Sequence, residues 1–348
     1  MKDVVILADI HLQGKNLTDK KAALKQAVDK ILAIGTIKTV YLAGDTFHRR
    51  NISDREATTG AIYKVLMDEL NRLIDAGIAI VAIEGNGIHE GRVGDQPGPL
   101  ETLKRKGITV VDEGLMLDER LLPQALIACI PAVDNELEYA ELKTTLADIK
   151  NIFSLSANAK VFKIIIHHLS ISGATLPSGM ELTGASFEIS AAELEATGAD
   201  LIIGGHIHKR QRIGERIFYV GALCQNDFGE EGNEAGMAII DTEKRTFEYV
   251  EIDAPRYITI DNPNVSTNTA LPLYIKFRLK ENPDNYDELI ANPRVTIEII
   301  PEREVIKREV EGVEAGRTDD QLLDAYLVSK GTGDADRQRI GARARGLK

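Results

Sequence analysis

A chain of 348 residues, 43% hydrophobic and 28% charged, is composed like a folded globular protein and is too long for one domain of about 150 residues; wholesale disorder is excluded. Its 42 basic and 54 acidic side chains give a net charge of −12, and aromatics make up only 5% with no tryptophan, which argues against a simple basic-surface DNA binder or a stacking platform for single strands. Nucleic acid is not excluded, because divalent metals and a partner subunit can supply the missing positive charge.

The chain opens with Val4–Ala8, continuously apolar, as expected for a strand buried on both faces. A helix is predicted over Thr18–Ala33, then a strand over Thr39–Ala43. A long helix capped by Ser53 or Asp54 should run to Ala76, with Ala61, Ile62, Val65, Leu66, Leu70, Leu73 and Ile74 inward and Gly77 as its stop. Strands follow at Ile78–Ile83, Ile108–Val111, Ala125–Ile130, Val161–Ile166, Leu201–Ile203, Ile217–Val220, Met237–Ile240 and Phe247–Ile252, with a helix over Ala191–Thr197. Residues 1–252 therefore predict an α/β (α+β) fold of two mixed sheets with helices outside.

Residues 256–300 change texture: three β-like runs (Tyr257–Ile260, Leu273–Leu279, Val295–Ile300) and a short helical stretch at Tyr286–Ala291 predict a small α+β appendage. Residues 301–348 read as a linker and C-terminal helices. Thr318-Asp319-Asp320-Gln321 forms a capping box before Leu322, Leu323, Tyr326 and Leu327, and Arg337, Arg339, Arg343, Arg345 and Lys348 make the end basic. This tail can fold back onto the appendage or dock on a partner. Cys129 and Cys224, far apart in apolar surroundings, predict buried thiols in a reducing compartment. With no signal-peptide pattern at Val4–Ala8 and no run near the ~18 apolar residues of a membrane span, the expectation is a soluble cytoplasmic protein that does not engage a membrane.

The seven histidines fall in five places: His11, His48, His89, His167-His168 and His206/His208. Four of these lie directly after an apolar strand, and His48 is three residues past Asp45. Asp9 and His11, and likewise His206 and His208, are two apart, so an extended chain turns each pair to one side. Gly44, Gly85 and Gly205 precede Asp45, Asn86 and His206 and allow a sharp turn there. Asp9, His11, Asp45, Asn86, His167, His206 and His208 make an oxygen/nitrogen shell without thiolates, suited to Mn²⁺, Fe or Zn²⁺. Seven ligands are too many for one metal and suffice for two if a carboxylate bridges, an arrangement suited to in-line attack of an activated water on phosphorus.

Asp9-Ile10-His11, Gly44-Asp45, Gly85-Asn86, His167 and Gly205-His206-Ile207-His208 resemble the five motifs of calcineurin-like metallophosphoesterases. Ala43–His48, Gly205–Lys209, Val220-Gly221-Ala222 and Asp227-Phe228-Gly229-Glu230 are further similar to the SbcD-type nucleases, the small subunit of SbcC–SbcD complexes. The resemblance is strong over residues 1–252; the appendage and tail match only in size and order.

It implies a two-sheet αββα sandwich with a capping domain, and two Mn²⁺ ions (with Mg, Fe or Zn as alternatives). Asp9, His11, Asp45 and His208 are expected on one metal, and Asp45, Asn86, His167 and His206 on the other. His48 is implied in placing the phosphate. His89 is implied in assisting the leaving group, but Gly87-Ile88 separates it from Asn86, where the family has the histidine adjacent, so its role requires a loop that brings it back. The implied activity is Mn-dependent hydrolysis of DNA phosphodiesters in repair and recombination. A homodimer and a separate SbcC-like coiled-coil ATPase gripped by the C-terminal helices are also implied, and this chain carries no Walker A loop of its own. Two rivals stay open, a small-molecule or cyclic-nucleotide phosphodiesterase and a weakly active scaffold. A protein phosphatase would instead read Gly-Asp-x-x-Asp-Arg-Gly where residues 44–50 read Gly-Asp-Thr-Phe-His-Arg-Arg.

Overall fold

The strands that the sequence makes continuously apolar are buried on both faces. A computed structural model describes residues 1–49, 56–91, 98–104, 106–184, 186–261, 273–280 and 290–300, with single positions at 287, 323, 324, 327, 333, 334, 337 and 340. Ser53, Asp54, Tyr286 and Thr318–Gln321, named above as caps and helix starts, lie outside the described residues. The chain forms two compact units, Met1–Glu298 and Ile299–Lys348.

In the first unit, β1 (Lys2–Leu7), β2 (Thr39–Ala43), β3 (Ala79–Ile83) and β4 (Thr109–Val111) run parallel in one sheet. Antiparallel β11 (Gly236–Asp241) and β12 (Thr246–Glu251) extend it in the order β12-β11-β1-β2-β3-β4. The second sheet repeats this plan as β5-β6-β7-β8-β10-β9. Its parallel strands are β6 (Ala125–Ile130), β7 (Phe162–His167), β8 (Leu201–Gly204) and β10 (Ile217–Tyr219), edged by antiparallel β5 (Met116–Asp118) and β9 (Gln211–Ile213). The two three-residue edge strands carry too little pattern to be legible in the sequence.

Period-two alternation splits each buried strand between two cores. Val4, Ile6, Ala8, Tyr41, Ala43, Val81 and Ile83 meet Ala125, Ile127, Cys129, Ile164, Ile166 and Ile203 between the sheets. The opposite face of the first sheet packs on α1 (Leu17–Ile34), α2 (Glu56–Asp75) and α3 (Glu101–Lys104), with Leu24, Val28, Leu66, Leu70 and Leu103 buried there. The outer face of the second packs on α4 (Glu136–Ser154) and α5 (Ala191–Glu195). The result is the expected αββα sandwich. Along α2 the buried stripe is narrower than predicted: Ala61 is exposed and Ile74 is 37% exposed. Gly77, at φ +77°, ends that segment as predicted. Both cysteines are free and buried.

Helix α4 was not predicted, although its signal is present in the sequence. Asn135 caps it by accepting the Glu138 amide hydrogen bond (3.0 Å), and Leu142, Leu146, Ile149 and Phe153 form a one-sided stripe amid many charges. A separate three-stranded sheet has the order β13 (Arg256–Ile260), β14 (Leu273–Leu279), β15 (Val295–Ile299), with β13 and β14 parallel. In the second unit, Arg337 pairs with Asp324 (3.3 Å) and with Asp334. Among the described residues no helix is long and apolar enough to cross a membrane.

The carboxyl ends of β1, β2 and β3 in one sheet and of β7 and β8 in the other open on the same edge of the sandwich. Pairing continues past the strands there: Asp9 N donates to Gly44 O (3.2 Å), His11 N to Asp45 O (2.8 Å) and Gly205 N to His167 O (3.0 Å). The backbone thus fixes the polar loop residues before any side-chain contact is counted.

Candidate metal centre

Asp9, His11, Asp45 and His208 present ligand atoms that all lie within 4.8 Å of one another. His11 Nε2 is 3.0 Å from His208 Nε2 and 3.5 Å from Asp45 Oδ2, and His208 Nε2 is 3.9 Å from Asp9 Oδ1. Beside this group, Asn86 Oδ1 stands 2.9 Å from His206 Nδ1 and 3.2 Å from His168 Nε2, itself 3.4 Å from Asp45 Oδ2. Asp45 therefore faces both groups.

One expected ligand is misplaced. His167 does not reach the cluster; its ring packs edge-on against Tyr219 (5.6 Å), its Nδ1 accepts from Leu169 N, and its Nε2 is buried without a partner. His168 takes the position facing Asp45 and Asn86. The cause is strand parity: Ile164 and Ile166 point between the sheets, where the site opens, while Ile165 points to the outer helices. His168 shares the parity of Ile164 and Ile166, and His167 that of Ile165.

His89 does return despite the insertion. The Gly87-Ile88 segment is taken up in a helical turn, with His89 N and Glu90 N both donating to Asn86 O (2.8 and 2.9 Å). Its ring stands 4.6 Å from His11 and 5.5 Å from His48, and its Nε2 is 3.9 Å from Asp45 Oδ2. His48 borders the same group, its Nδ1 buried without a partner.

Extended-chain geometry is not what brings the ligands together. Asp9 (φ +49°), His11 (+48°), Asp45 (+49°) and His206 (+96°) all occupy the left-handed region, uncommon for residues with a Cβ and costing of order 1–3 kcal/mol where strained. His206 and His208 consequently diverge, one toward Asn86 and the other toward His11. The glycines also work differently from expectation. Only Gly44 of the three has positive φ (+83°), and a Cβ on it would sit 2.0 Å from His168 Nδ1. At Gly85 the requirement is room, since a Cβ would lie 2.1 Å from Asp45 Oδ1.

A ring of supporting groups orients these side chains. His208 Nδ1 bonds Glu230 Oε1, His206 Nε2 bonds Ser170 Oγ (2.8 Å) and His168 Nδ1 donates to Ala43 O (2.8 Å), so each ring turns its other nitrogen inward. Asn86 Nδ2 donates to Asp134 Oδ1 (3.3 Å), which turns the amide oxygen toward the histidines. Buried Glu90 accepts backbone N–H groups from Gly85, Asp45, Thr46 and Phe47 (2.7–3.1 Å), tying the loops after β2 and β3 together. Of these supporters Glu230 and Ala43 stood in quoted motifs, and Glu90 directly follows the displaced His89. Ser170 and Asp134 bear no signal that sequence spacing reveals.

Burial holds His206 down at about 3 and His11 well below the ordinary imidazole range, which leaves their lone pairs free. Burial opposes charge on His168 and His208 too. The Asp45 and Asp9 carboxylates nonetheless raise His168 to about 10, and Glu230 with Asp9 raises His208 to about 9. Burial works against ionised Asp45, but His168, His11 and His89 hold its carboxyl below the usual range. Burial, joined by the like charge of Asp45, raises Asp9 against the pull of His208 and His168. Two protonated imidazoles thus balance carboxylates where a divalent cation would do the same. The orphaned His11 Nδ1 and the facing Nε2 pair of His11 and His208 fit a metal-binding donor set.

Residues 2–210 match the family model of calcineurin-like phosphoesterases. Among solved structures, a mutant of a cold-active protein tyrosine phosphatase is 13% identical, the match covering 72% of this chain and 81% of that one at a TM-score of 0.34, a likeness too slight to bear on the site. The family match spans well over half of the chain and includes every strand-end loop described above. The chain belongs to the calcineurin-like phosphoesterases, metal-dependent hydrolases of phosphoester bonds that typically bind two divalent cations.

Proposed function

We propose that this protein is a two-metal phosphodiesterase acting on DNA, the nuclease subunit of an SbcC–SbcD-like repair and recombination assembly, with Mn²⁺ as its metal. The observation that carries the reading is the pair of adjoining donor groups that share Asp45, with His48 and His89 beside them. Asp9, His11, Asp45 and His208 would hold one cation, and Asp45, Asn86, His168 and His206 the other. Such a pair supplies the charge that lowers the pKa of a water and stabilises the oxygens of an in-line attack. The chain's own part is to orient and to move protons. Half-buried His48, which burial holds below the ordinary imidazole value, stands beside the donor groups and can hydrogen-bond a phosphate oxygen. His89, its Nδ1 bonded to His48 O, keeps Nε2 free to serve the departing oxygen.

DNA as substrate is supported by Val220-Gly221-Ala222 and Asp227–Glu230, the motifs similar to SbcD-type nucleases, and by the presence of the added three-stranded sheet. The test compares Mn²⁺-dependent cleavage of duplex and hairpin DNA with that of a generic phosphodiester, for wild type and Asp45→Asn. DNA cleavage lost in the variant is expected. Turnover of the generic ester with every DNA form left intact would instead mean a small-molecule phosphodiesterase. The assembly follows the same reading: residues 318–348 dock on a coiled-coil ATPase, and their deletion should abolish co-purification with it.

A further inference from the structure

Lys20, in the first turn of α1, is 1% exposed, and a lysine so buried is rare without a partner. Its Nζ donates to Ile10 O (2.7 Å) and to Asn226 Oδ1. Both acceptors are neutral, so the ammonium is buried at a cost that a methionine filling the same space would not carry. What the two contacts hold explains its presence. Ile10 lies between Asp9 and His11, two candidate ligands with left-handed backbones (φ +49° and +48°). The amide side of that loop is fixed by Asp9 N on Gly44 O and His11 N on Asp45 O, and Lys20 fixes the buried carbonyl between them. Asn226 is the other end of the tie. With its Oδ1 taken by Lys20, the amide turns Nδ2 to Glu230 Oε1 (3.0 Å), while Asn226 N donates to Glu230 Oε2 (2.9 Å). Glu230 in turn bonds His208 Nδ1.

We propose that Lys20 is a positioning residue of the metal centre: one buried ammonium ties the loop that carries Asp9 and His11 to the segment that orients His208. It acts through Ile10 and Asn226 and not as a ligand, since an ammonium has no lone pair to give a cation. His11 Nε2 and His208 Nε2 stand 3.0 Å apart although the two residues are 197 positions apart in the chain, and Lys20 spans their two supports. Without it the Ile10 carbonyl loses this donor, and the Asn226 amide is free to turn its oxygen toward the Glu230 carboxylate, which repels it. The donors to one cation then loosen. Asn86, His168 and His206, held by Asp134, Ala43 and Ser170, keep their places. The inference rests on the two-cation reading of the centre and not on DNA as substrate.

The full-length, metal-free protein is titrated with Mn²⁺ by electron paramagnetic resonance, with circular dichroism and urea unfolding reporting the fold. Wild type that takes up no pair of ions fails the two-cation reading and this proposal together; the variants test the proposal alone. Lys20→Met, which keeps the stem and removes the ammonium, should weaken one of the two ions about 10–100-fold and leave the other near its wild-type affinity. In a His168→Ala background, where the ion on Asp9, His11, Asp45 and His208 is the one retained, Lys20→Met should weaken that ion by the same factor. Asn226→Ala, at a half-buried position, should repeat the selective loss and decides the matter if Lys20→Met does not fold. Asp3→Asn, at the amino end of β1, loosens buried contacts with Thr242 and should lower stability while leaving both affinities intact. Two ions bound as tightly as in wild type by folded Lys20→Met, or by Asn226→Ala in its place, overturn the proposal. So does an equal weakening of both ions that Asp3→Asn reproduces, because it marks a general loosening of the fold.

Discussion

His208 Nδ1 lies 2.5 Å from Glu230 Oε1, and the opposite nitrogen of that ring faces His11 Nε2 at 3.0 Å. Glu230 is in turn fixed by Asn226, whose backbone N–H donates to Oε2 (2.9 Å) and whose amide donates to Oε1 (3.0 Å). Two residues before Glu230, the Phe228 ring meets Tyr257 edge-on at 5.0 Å, and Tyr257 stacks on Tyr274 at 4.4 Å. The added sheet thereby rests on the segment that orients a candidate ligand.

Glu230→Gln should keep the fold while weakening the cation held through His208 by about 10–100-fold, the usual effect of losing a carboxylate behind a ligating histidine. Mn²⁺ titration monitored by electron paramagnetic resonance checks this. Unchanged affinity for both ions would show that the contact has no bearing on metal.

The two adjacent histidines separate cleanly. His168→Ala should leave one Mn²⁺ per chain instead of two, because Asn86 and Asp45 lose their shared neighbour. His167→Ala should retain two Mn²⁺ and cost roughly 2–4 kcal/mol of stability as a cavity in the packing against Tyr219. Elemental analysis and urea unfolding distinguish the pair; the reverse assignment of stoichiometry would restore His167 to the site.

Metal uptake should release protons. In the metal-free chain His168 and His208 are raised to about 10 and about 9 from 6.5, so both are cationic at pH 7. Their protonated forms stabilise the metal-free fold fully below pH 6.5, and that contribution fades as pH rises toward 9–10. A cation must displace these protons, so Mn²⁺ affinity should climb with pH over this window. Calorimetry at pH 7 in buffers of different ionisation enthalpy should return about two protons released per filled centre. Release of none would contradict the charge balance inferred here.

Gly85→Ala should abolish binding of the metal pair. Its Cβ would fall 2.1 Å from Asp45 Oδ1 and 2.2 Å from Asp45 N, so the shared carboxylate or the loop carrying it must move. Gly35→Ala, at a helix end with open space, meets only its left-handed backbone, costs about 1 kcal/mol and should leave metal binding intact. Equal metal affinity in both variants would remove the steric argument.

Strand order of appearance, the two-sheet class and the gathering of histidines at strand ends were determined by the sequence alone, since a strand buried on both faces must be apolar throughout and its polar successor must be a loop. Asp9, His11, Asp45, Asn86, His206 and His208 were legible for that reason. Which of two neighbouring histidines faces the cluster was not: alternation says that His167 and His168 diverge, but only the packing of Ile164 and Ile166 against the other sheet decides which side is the site. Likewise Glu90, Ser170 and Asp134 become ligand supports only because loops distant in sequence are brought within hydrogen-bond reach. The left-handed backbone at Asp9, His11, Asp45 and His206 belongs to the same class, because local propensity disfavours it and the surrounding tertiary hydrogen bonds impose it.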